Sequence, residues 1–334
     1  MTSNPFPSPA NQNKTPDTEK NKLRKHRDWS GATVGIIFGL AGLFCARLSQ
    51  LWIGFDLFAQ FWMQFFFIAL ASGLGLASPR YKTLVATVLL VIFVAGYSVW
   101  PYYVSSGTTA PSVKLEPGRI TLKVASFNTY TENLDYAKIS NEILRLDADV
   151  AILIEFSSSK KTVLDQLRVK YPYQENCWNL PYCDFAIVSK LPLHDVTAKD
   201  EWDGPSFIRA KLGPEYKNLN LMGLHTTRFP HLRFQLNQIL AFIKFMEGEQ
   251  GPVVLLGDFN ATPFSRITQT LTDGLGLERL TNLPSWSATY GFPQLAIDHI
   301  FVSPGIKALD HEKIGEYAGS DHFPITITLS IPTK

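Results

Sequence analysis

Two motifs in the second half of the chain place carboxylates, amides and histidines beside apolar runs. Four apolar residues beginning at Val253 lead into Asp258 and Asn260, and the later motif GSDHFP holds Asp321 and His322. Carboxylates and imidazoles move protons or orient water, and hard oxygen ligands hold divalent cations such as Mg²⁺. Such a set suits metal-assisted activation of a water molecule for hydrolysis.

The spacing of Asp258 and Asn260 predicts that their side chains point the same way. Successive side chains of a strand point to opposite faces, so these two would share a face, roughly 6 to 7 Å apart at the backbone. We therefore expect both to face one reacting centre. A plainer interpretation stays open, in which the pair forms an Asx turn before a helix that begins near Pro263.

Other polar residues stand where further predicted strands stop. Ligand sites in α/β sheets collect at strand ends, where loops converge. Taken singly, each residue has an ordinary explanation as a turn residue, a solvated loop end or a satisfied histidine. The full set is Asn128, Glu155, His225, Asp258 with Asn260, Asp298 with His299, and Asp321 with His322.

The elements that must position these residues alternate between short apolar runs and helical periods. Together they predict an α/β domain of more than 200 residues with a large core. Strands are predicted at 120–127, 150–154, 185–188, 207–212, 219–224, 253–260, 297–302 and 325–331, and helices at 136–146, 162–169 and 232–246.

Six motifs resemble, in order and spacing, the endonuclease/exonuclease/phosphatase superfamily of metal-dependent phosphoesterases. The resemblance covers about residues 119–331, and the nearest likeness is to bacterial membrane-anchored members. It implies a four-layer α/β sandwich, with two packed mixed β-sheets flanked by helices, preceded by N-terminal transmembrane helices. The motifs are FNTY (127–130), IE (154–155), LHTTR (224–228), GDFNATP (257–263), IDHIFVSP (297–304) and GSDHFP (319–324).

The resemblance also implies a Mg²⁺ site, with Mn²⁺ as an alternative. Glu155 would be the main ligand, Asn128 would lie beside it, and Asp321 would be a further contributor. Ile154 stands where many members have glutamine, which removes a supporting hydrogen bond but no ligand. A zinc site is disfavoured because the sequence has neither HExxH nor a set of thiolates. A serine or cysteine nucleophile is disfavoured because a nucleophile-elbow motif is lacking.

The resemblance assigns catalytic roles to five residues. Asp258 would activate or orient the attacking water, and Asn260 would hold a phosphate oxygen as charge develops. His322 would lie on the phosphate side, and Asp298 would orient it and favour its protonated form. His225 would lie near the leaving group. His299 is expected to be structural.

The first third of the chain predicts a membrane anchor. Residues 1–28 are polar and basic and are expected to form a disordered tail. Three apolar runs, about 29–46, 57–77 and 83–103, are each near the ~20 residues that cross a bilayer, within an anchor spanning 29–103. A linker at 104–117 then precedes the catalytic domain, 118–334.

Basic residues predict the orientation of the anchor. They cluster in the tail and in the loop at 78–82, which places both on the cytoplasmic side. With three crossings, the catalytic domain of an inner or plasma membrane protein would face the periplasm or cell exterior. A cleavable signal peptide is the alternative for one run, and insertion of only two runs would leave the domain in the cytoplasm.

Cysteines and charge add two constraints. Cys177 and Cys183 lie six residues apart, so an oxidising compartment would permit a disulfide, although two free thiols stay open. Residues 110–334 hold 22 basic and 25 acidic residues, which argues against tight binding of long nucleic acid.

The hypothesis is a membrane-anchored Mg²⁺-dependent phosphoesterase whose partners are the lipid bilayer and a phosphate-ester substrate. The substrate class stays open between a lipid headgroup, a nucleotide and a nucleic acid, and protein partners are not indicated. The alternatives are a nuclease acting on DNA or RNA, or a catalytically silent binding or sensor module on a membrane tether.

Overall fold

A computed structural model describes residues 16–75, 82–103, 115–290 and 294–333. The chain separates into two compact units, one of residues 1–43 with 63–95 and one of residues 44–62 with 96–334. The expected linker lies outside the described residues at 104–114, as do residues 1–15 of the expected tail.

The N-terminal region is helical. It contains α1 (Pro16–Arg47), α2 (Asp56–Gln60), α3 (Trp62–Gly75) and α4 (Lys82–Tyr103), with 3-10 turns at Leu48–Gln50 and Ile53–Phe55. Residues 16–28 are therefore helical where the sequence predicts disorder. Pro16 suits the first position of a helix, and the Lys and Glu residues that follow are strong helix formers.

The first unit is a cluster of apolar helices. Ile36 of α1, Ala69 of α3, and Val88 and Ile92 of α4 form its buried core. A Cβ added at Gly39 would lie 2.7 Å from the backbone nitrogen of Ala69, so this glycine permits the close approach of α1 and α3. Large apolar side chains face outward, including Val34, Phe38, Phe67, Leu90 and Phe93.

One described stretch, Gly31–Gln50, is long and apolar enough to cross a membrane alone, and it stands where a signal sequence would also lie. Ile53–Gln60 and Trp62–Gly75 reach that length only together and are bent by 58°. Val85–Tyr97 is apolar but shorter. The first expected run, 29–46, therefore coincides with a helix that could cross a membrane. Membrane crossing by the runs 57–77 and 83–103 remains a prediction.

The second unit contains the expected α/β domain, with the following elements in chain order: β1 (Arg119–Asn128), α5 (Tyr136–Leu146), β2 (Val150–Ile154), α6 (Lys161–Leu167), β3 (Tyr173–Asn176), β4 (Phe185–Ser189), β5 (His194–Lys199), β6 (Ser206–Lys211), β7 (Asn220–His225), α7 (Leu232–Met246), β8 (Val253–Asp258), α8 (Arg266–Leu275), β9 (Glu278–Arg279), β10 (Asp298–Val302), β11 (Lys307–Ala308), β12 (Lys313–Ile314) and β13 (Ile325–Pro332). Short 3-10 turns lie at Ser158–Lys160, Pro214–Tyr216 and Ala288–Tyr290.

These strands form two mixed sheets. The first has the order β11-β13-β1-β2-β4-β3, with β12 beside β13, and the second has the order β5-β6-β7-β8-β10-β9. The pairs β1–β2 and β7–β8 are parallel, whereas β1–β13 and β8–β10 are antiparallel. The predicted strands are thus present, and the two parallel pairs lie at the centre of their sheets.

Alternation along the central strands builds a core on both faces of each sheet. Val254 and Leu256 of β8 point between the sheets, while Val253 and Leu255 point toward α7 and α8. In β1, Val124 points between the sheets and Phe127 points toward α5 and α6. The expected four-layer α/β sandwich is confirmed.

The elements that the sequence did not predict lack an apolar alternation or lie at an edge. Strands β3 and β5 are edge strands with largely exposed or half-buried side chains. Helix α8 begins at Arg266, later than expected near Pro263, because the Ser265 side chain accepts from Ile267 N and caps it.

The second unit also includes residues 44–62, which the sequence assigns to the anchor. Ile53 belongs to the core beneath β7, β8 and α7, and Asp56, Ala59 and Gln60 are almost completely buried. The compact second unit therefore includes more of the chain than the domain expected at 118–334. Asp56 and Gln60 find polar partners there that lipid would not supply.

Candidate active site

Strand register brings three of the expected residues into one row across the second sheet. Asp258, the last residue of β8, pairs with His225 at the end of parallel β7 and with Asp298 at the start of antiparallel β10. On the facing sheet, Asn128 ends β1 beside Ile154 of β2, and Glu155 follows directly. The polar residues therefore meet where the strand ends of both sheets converge.

Asp258 lies at the centre of this group. It is 1% exposed, and its Oδ2 accepts from Asn128 Nδ2 at 3.0 Å, while Oδ1 accepts from the backbone nitrogen of Asn260 at 2.9 Å. Burial raises the pKa of Asp258 to about 6, against the opposing effect of the His322 charge. A carboxylate with this pKa is ionised near neutral pH and more basic than an exposed one.

Asn260 reaches the site by a turn instead of strand alternation. Strand β8 ends at Asp258, and Asn260 has φ +47° in the left-handed region that Asn tolerates. The Asx turn considered for the pair is present, through Asn260 N and Asp258 Oδ1. Asn260 Nδ2 donates to Thr226 O at 3.0 Å, which leaves its second N–H for another acceptor.

Gly257 is required by the close approach of β7. A Cβ at this position would lie 1.9 Å from the carbonyl oxygen of Leu224. Since no side chain fits there, Gly257 allows β8 to pair closely with β7, which places Asp258 beside His225.

Glu155 is held in a defined orientation by neighbouring donors. Its Oε1 accepts from Asn128 Nδ2 at 2.9 Å, and its Oε2 accepts from Thr131 N and Oγ1 at 2.8 and 3.0 Å. Its φ is +51°, an uncommon value for a non-glycine residue that recurs at functional sites. Burial opposes its ionisation, but the nearby His225 charge and these hydrogen bonds hold the pKa of Glu155 below its usual value.

His225 lies between the two carboxylates. Its Nε2 is 3.7 Å from Asp258 Oδ2 and 3.9 Å from Glu155 Oε1. The side chain is 31% exposed, so it faces the open side of the site. This position suits exchange of a proton with a bound molecule.

His322 and Asp298 form a buried pair on the other side of Asp258. His322 Nδ1 lies 2.8 Å from Asp298 Oδ2, and His322 Nε2 lies 3.6 Å from Asp258 Oδ2. Ser285 Oγ donates to the same Asp298 oxygen at 2.6 Å. Burial alone would lower the pKa of His322, but the charges of Asp298 and Asp258 exceed that effect and raise it to about 10.

Two further expected residues do not belong to the groups of ligand atoms that lie within 4.8 Å of one another. Asp321 lines the same cleft as the cluster, and its Oδ2 accepts from Trp286 Nε1 at 3.1 Å. His299 is fully buried between Thr281 Oγ1 and Ala261 O, and burial lowers its pKa to about 3. The structural role expected for His299 agrees with these contacts.

Lys160 is a site-supporting residue that the sequence reasoning missed. Its fully buried Nζ donates to Tyr130 O and Glu155 O at 2.6 Å and to Thr129 Oγ1 at 3.1 Å. Burial lowers its pKa to about 8, against the charge of Glu155. Within SSSKK nothing distinguishes Lys160 from its exposed neighbour Lys161, because only the tertiary fold buries it.

A role for Ser320 was not predicted from the sequence either, although this residue lies within the motif GSDHFP. Its hydroxyl donates to Asn128 O at 2.7 Å and accepts from His322 N at 3.0 Å. It therefore ties the strand end of β1 to the loop that carries His322. A serine directly before the Asp-His pair was the available signal.

The donor set fits a hard divalent cation. One oxygen each of Glu155 and Asp258 and one nitrogen of His225 lie within 4.8 Å of one another, and no thiolate is near them among the described residues. Asn128 turns Nδ2 toward both carboxylates while its Oδ1 accepts from Tyr130 N at 3.0 Å. Its oxygen would reach a cation only after the amide turns. Carboxylate-rich sites of this kind suit Mg²⁺ or Mn²⁺.

The cluster lines an open cleft of about 740 Å³. Glu155, His225, Asp258, Asn260 and His322 form its polar floor. Its walls add side chains from the loop after β7, from α7 and from the segment before β10, including Arg228, Phe229, His231, Gln238 and Trp286. This volume is large enough for a small phosphorylated molecule or the head of a larger one.

Comparisons with known proteins agree with this architecture. Residues 125–322 match the model of the Endonuclease/Exonuclease/phosphatase family. No curated protein sequence matches the chain significantly. An endonuclease/exonuclease/phosphatase family protein from Bacteroides thetaiotaomicron superposes with a TM-score of 0.53 at 17% identity, covering 64% of this chain and 98% of its own.

Two further solved structures share the fold. An endonuclease/exonuclease/phosphatase from Beutenbergia cavernae gives a TM-score of 0.53 at 16% identity, covering 63% of this chain and 72% of its own. Humanised D. rerio TDP2 gives a TM-score of 0.52 at 14% identity, covering 63% of this chain and 98% of its own. At such identities the likeness concerns the fold alone.

Proposed function

The chain belongs to the endonuclease/exonuclease/phosphatase family of metal-dependent phosphoric ester hydrolases, and from this premise we propose that it is a membrane-anchored, Mg²⁺-dependent phosphoesterase. The observation that carries the proposal is the position of Asp258. It is buried and lies between the Asn128 amide, His225 Nε2 at 3.7 Å and His322 Nε2 at 3.6 Å.

In the proposed reaction Asp258 accepts the proton of the attacking water. Its raised pKa makes it a stronger base than a solvated carboxylate, and Asn128 and Asn260 N fix both of its oxygens. Because Asp298 holds Nδ1 of His322, the protonated ring directs Nε2–H toward the cleft. That N–H and the second N–H of Asn260 would stabilise charge on the phosphate oxygens.

The metal and the leaving group would involve the opposite side of the site. Glu155 would hold the Mg²⁺ or Mn²⁺ ion, which when bound neutralises phosphate charge, and Asn128 would remain beside it as the donor to Glu155 and Asp258. His225 is more exposed than His322 and faces the cleft, so it would protonate the departing oxygen. A bound substrate would also contact the cleft wall, where Arg228 offers a positive charge.

The surroundings of the cleft favour a substrate at the membrane surface. Phe229 in the cleft wall packs edge-on against Phe61, with ring centroids 5.8 Å apart, and Phe61 stands directly before apolar helix α3. Residues 110–334 carry no excess of basic residues for long nucleic acid. A lipid headgroup phosphoester is therefore preferred to DNA or RNA.

The proposed topology has three crossings with the catalytic unit outside the cytoplasm. Residues 44–62 and 96–334 form one compact unit, so any crossings in the chain between them would have to be even in number. Insertion of both later apolar runs, 57–77 and 83–103, would meet this condition only if each crossed the bilayer. The disulfide between Cys177 and Cys183 supports an oxidising compartment.

The test of activity uses the full-length protein in detergent micelles. We expect hydrolysis of bis-p-nitrophenyl phosphate with Mg²⁺ or Mn²⁺, none with EDTA, and loss of at least about 100-fold in Asp258→Ala and His322→Ala. His311→Ala, at an exposed histidine outside the cleft, is the matched control. Turnover without metal, or full activity in Asp258→Ala, would refute the proposal.

Substrate class and topology need separate measurements. A panel of vesicles containing sphingomyelin or phosphoinositides, soluble nucleotides, plasmid DNA and single strands should show the highest kcat/KM on a lipid. Alkaline phosphatase fusions after residues 50, 78 and 110 should be active, silent and active, and silence after residue 110 would overturn the orientation.

A further inference from the structure

The segment between α1 and α3 packs against the loop that carries the proposed catalytic residues. This segment, residues 48–62, extends from the end of α1 to the first residue of α3 and is called the docked segment. It contains the two 3-10 turns and helix α2, and it faces the loop 259–265 and the first turn of α8. Ile53 secures it to the core beneath β7 and β8, where it joins Met222, Leu255 and Phe301.

Asp56 is the main polar contact of the docked segment. Its side chain is completely buried, and each carboxylate oxygen accepts a hydrogen bond of 2.6 Å. Oδ2 accepts from Ser265 Oγ, and Oδ1 accepts from the backbone nitrogen of Arg266. Because Ser265 caps α8 and Arg266 is its first residue, Asp56 places a carboxylate where free N–H groups and the helix dipole favour one.

Gln60 provides a second contact closer to the active site. Its Oε1 accepts from the backbone nitrogen of Thr262 at 2.8 Å, and its Nε2 donates to Asp56 Oδ2 at 3.2 Å. Gln60 and Thr262 are both buried, at 1% and 3% exposed. Since water has little access, loss of Gln60 would leave the Thr262 N–H buried without this partner.

Aromatic packing extends the same contact. The rings of Trp62 and Phe264 stack with centroids 5.0 Å apart, and Ala59 O accepts from Thr262 Oγ1 at 3.4 Å. The docked segment therefore touches four of the five residues from Thr262 to Arg266. Thr262 stands only two positions from Asn260.

The other side of the loop is fixed by the catalytic domain. Gln235 Nε2 donates to Phe259 O at 2.9 Å, and Ala261 O lies 2.8 Å from His299 Nε2. Asn260 itself is held in the left-handed region by its bonds to Asp258 Oδ1 and Thr226 O. The loop is thus clamped from two sides, and the docked segment provides one of them.

We propose that the docked segment positions Asp258 and Asn260 for the reaction, so that the anchor region completes the active site in addition to tethering it. Asp56 and Gln60 are positioning residues, since they act through Thr262, Ser265 and Arg266 and do not line the cleft. The expected loss of kcat rests on the proposed function. The expected ordering of the loop 259–266 rests on the contacts alone.

The experiment uses the full-length protein in detergent micelles with bis-p-nitrophenyl phosphate and Mg²⁺. Asp56→Asn, Asp56→Ala and Gln60→Ala are compared with wild type for kcat, KM and backbone hydrogen exchange of peptides covering 259–266. Gln50→Ala is the matched control, because Gln50 Nε2 donates to Gln269 Oε1 at an exposed site farther along α8. All rates are measured well below each variant's Tm and per mole of folded protein.

We expect kcat to fall about 10- to 100-fold in Asp56→Ala and less in Asp56→Asn, which keeps one acceptor oxygen, because small displacements of reacting groups carry such costs. KM should change by less than about threefold, since the cleft walls are not contacted by Asp56. Exchange across 259–266 should accelerate in the same order. Gln60→Ala removes no charge, so it serves as the variant that folds if Asp56→Ala does not.

Hydrogen exchange across 259–266 and kcat together show whether the docked segment positions the catalytic residues. Faster exchange together with lower kcat supports it, and unchanged exchange in Asp56→Asn and Gln60→Ala overturns it. Faster exchange with wild-type kcat shows that the contact is merely structural and also overturns it. If wild type itself does not hydrolyse the probe, the proposed function fails, and the exchange data alone decide whether the docked segment orders the loop.

Discussion

His322 Nδ1 lies 2.8 Å from Asp298 Oδ2, and both side chains are almost completely buried. The carboxylate has two effects on the histidine. It fixes which ring nitrogen faces Asp258, and with Asp258 it raises the pKa of His322 to about 10, although burial acts in the opposite direction. The ring therefore carries its proton across the neutral range.

Asp298→Asn should lower kcat and change its pH dependence. Loss of the anion lowers the pKa of His322, so the protonated ring is lost at a lower pH than in wild type. We expect a fall in kcat of about 100-fold at pH 8, and an alkaline limb that moves down from its wild-type position near pH 10. The measurement is kcat for bis-p-nitrophenyl phosphate from pH 5 to pH 10.5.

Ser285→Ala is the control for this experiment. It removes the hydroxyl that donates to the same Asp298 oxygen at 2.6 Å but leaves the carboxylate in place. The alkaline limb should then stay near the wild-type position. An Asp298→Asn enzyme with an unshifted limb would show that protonated His322 is not needed for turnover.

Lys160→Met should destabilise the protein and weaken the site together. Methionine fills a similar volume but leaves Tyr130 O, Glu155 O and Thr129 Oγ1 without this donor. We expect a loss of about 2 to 4 kcal/mol in the free energy of unfolding and a higher Mg²⁺ requirement. Denaturant unfolding and Mg²⁺ titration of activity measure the two effects.

Lys161→Met provides the comparison at the adjacent, exposed position. Its unfolding free energy should stay within about 0.5 kcal/mol of wild type. Equal losses in the two variants would mean that the buried contacts of Lys160 add nothing to stability.

The sequence predicted the central elements because their signals are local. Strands β1, β2, β7 and β8 have continuous or alternating apolar residues, and the polar residue that ends each one follows directly in the chain. Asn128, Glu155, His225, Asp258, Asp298 and His322 do converge as expected. Their convergence follows from strand register, which the order of the motifs indicated in advance.

What the sequence did not predict depends on distant contacts. Asp56 lies just before the apolar run 57–77 and Gln60 lies within it, so both were assigned to the membrane anchor. Their partners at Thr262, Ser265 and Arg266 are more than 200 positions away. Lys160 lies in the segment SSSKK, which has the composition of a surface loop. Asn260 was expected on a strand face, but a turn with a positive φ places it.

Oxidation of Cys177 and Cys183 should be found in the protein isolated without reductant. The structure pairs these two cysteines and leaves Cys45 free. Intact mass should be lower by two hydrogen masses than after reduction, and alkylation of the unfolded, unreduced protein should modify Cys45 alone, because Cys177 and Cys183 are buried in the fold. Three reactive thiols under these conditions would contradict both the disulfide and the proposed compartment.

The same bond should stabilise the catalytic unit. Replacing both cysteines by serine should lower the free energy of unfolding by about 2 kcal/mol, as expected for closure of a short loop. Cys45→Ser is the matched control and should unfold like wild type under reducing and oxidising conditions alike. A double variant as stable as wild type would show that the loop at 177–183 is ordered without the bond.

Glu155→Gln and Asp321→Asn should separate the two acidic residues that the sequence assigned to the metal. Glu155 Oε1 lies 3.9 Å from His225 Nε2 and belongs to the cluster of ligand atoms, whereas Asp321 lies outside the clusters and accepts from Trp286 Nε1. Glu155→Gln should raise the Mg²⁺ concentration for half-maximal activity at least about 10-fold. Asp321→Asn should raise it less than about threefold, because its carboxylate contacts the tryptophan and not the cluster.

Calorimetric titration of Mg²⁺ into each protein provides a readout that does not depend on turnover. Equal losses of Mg²⁺ affinity in the two variants would place Asp321 at the metal, and an unchanged affinity in Glu155→Gln would remove Glu155 from it.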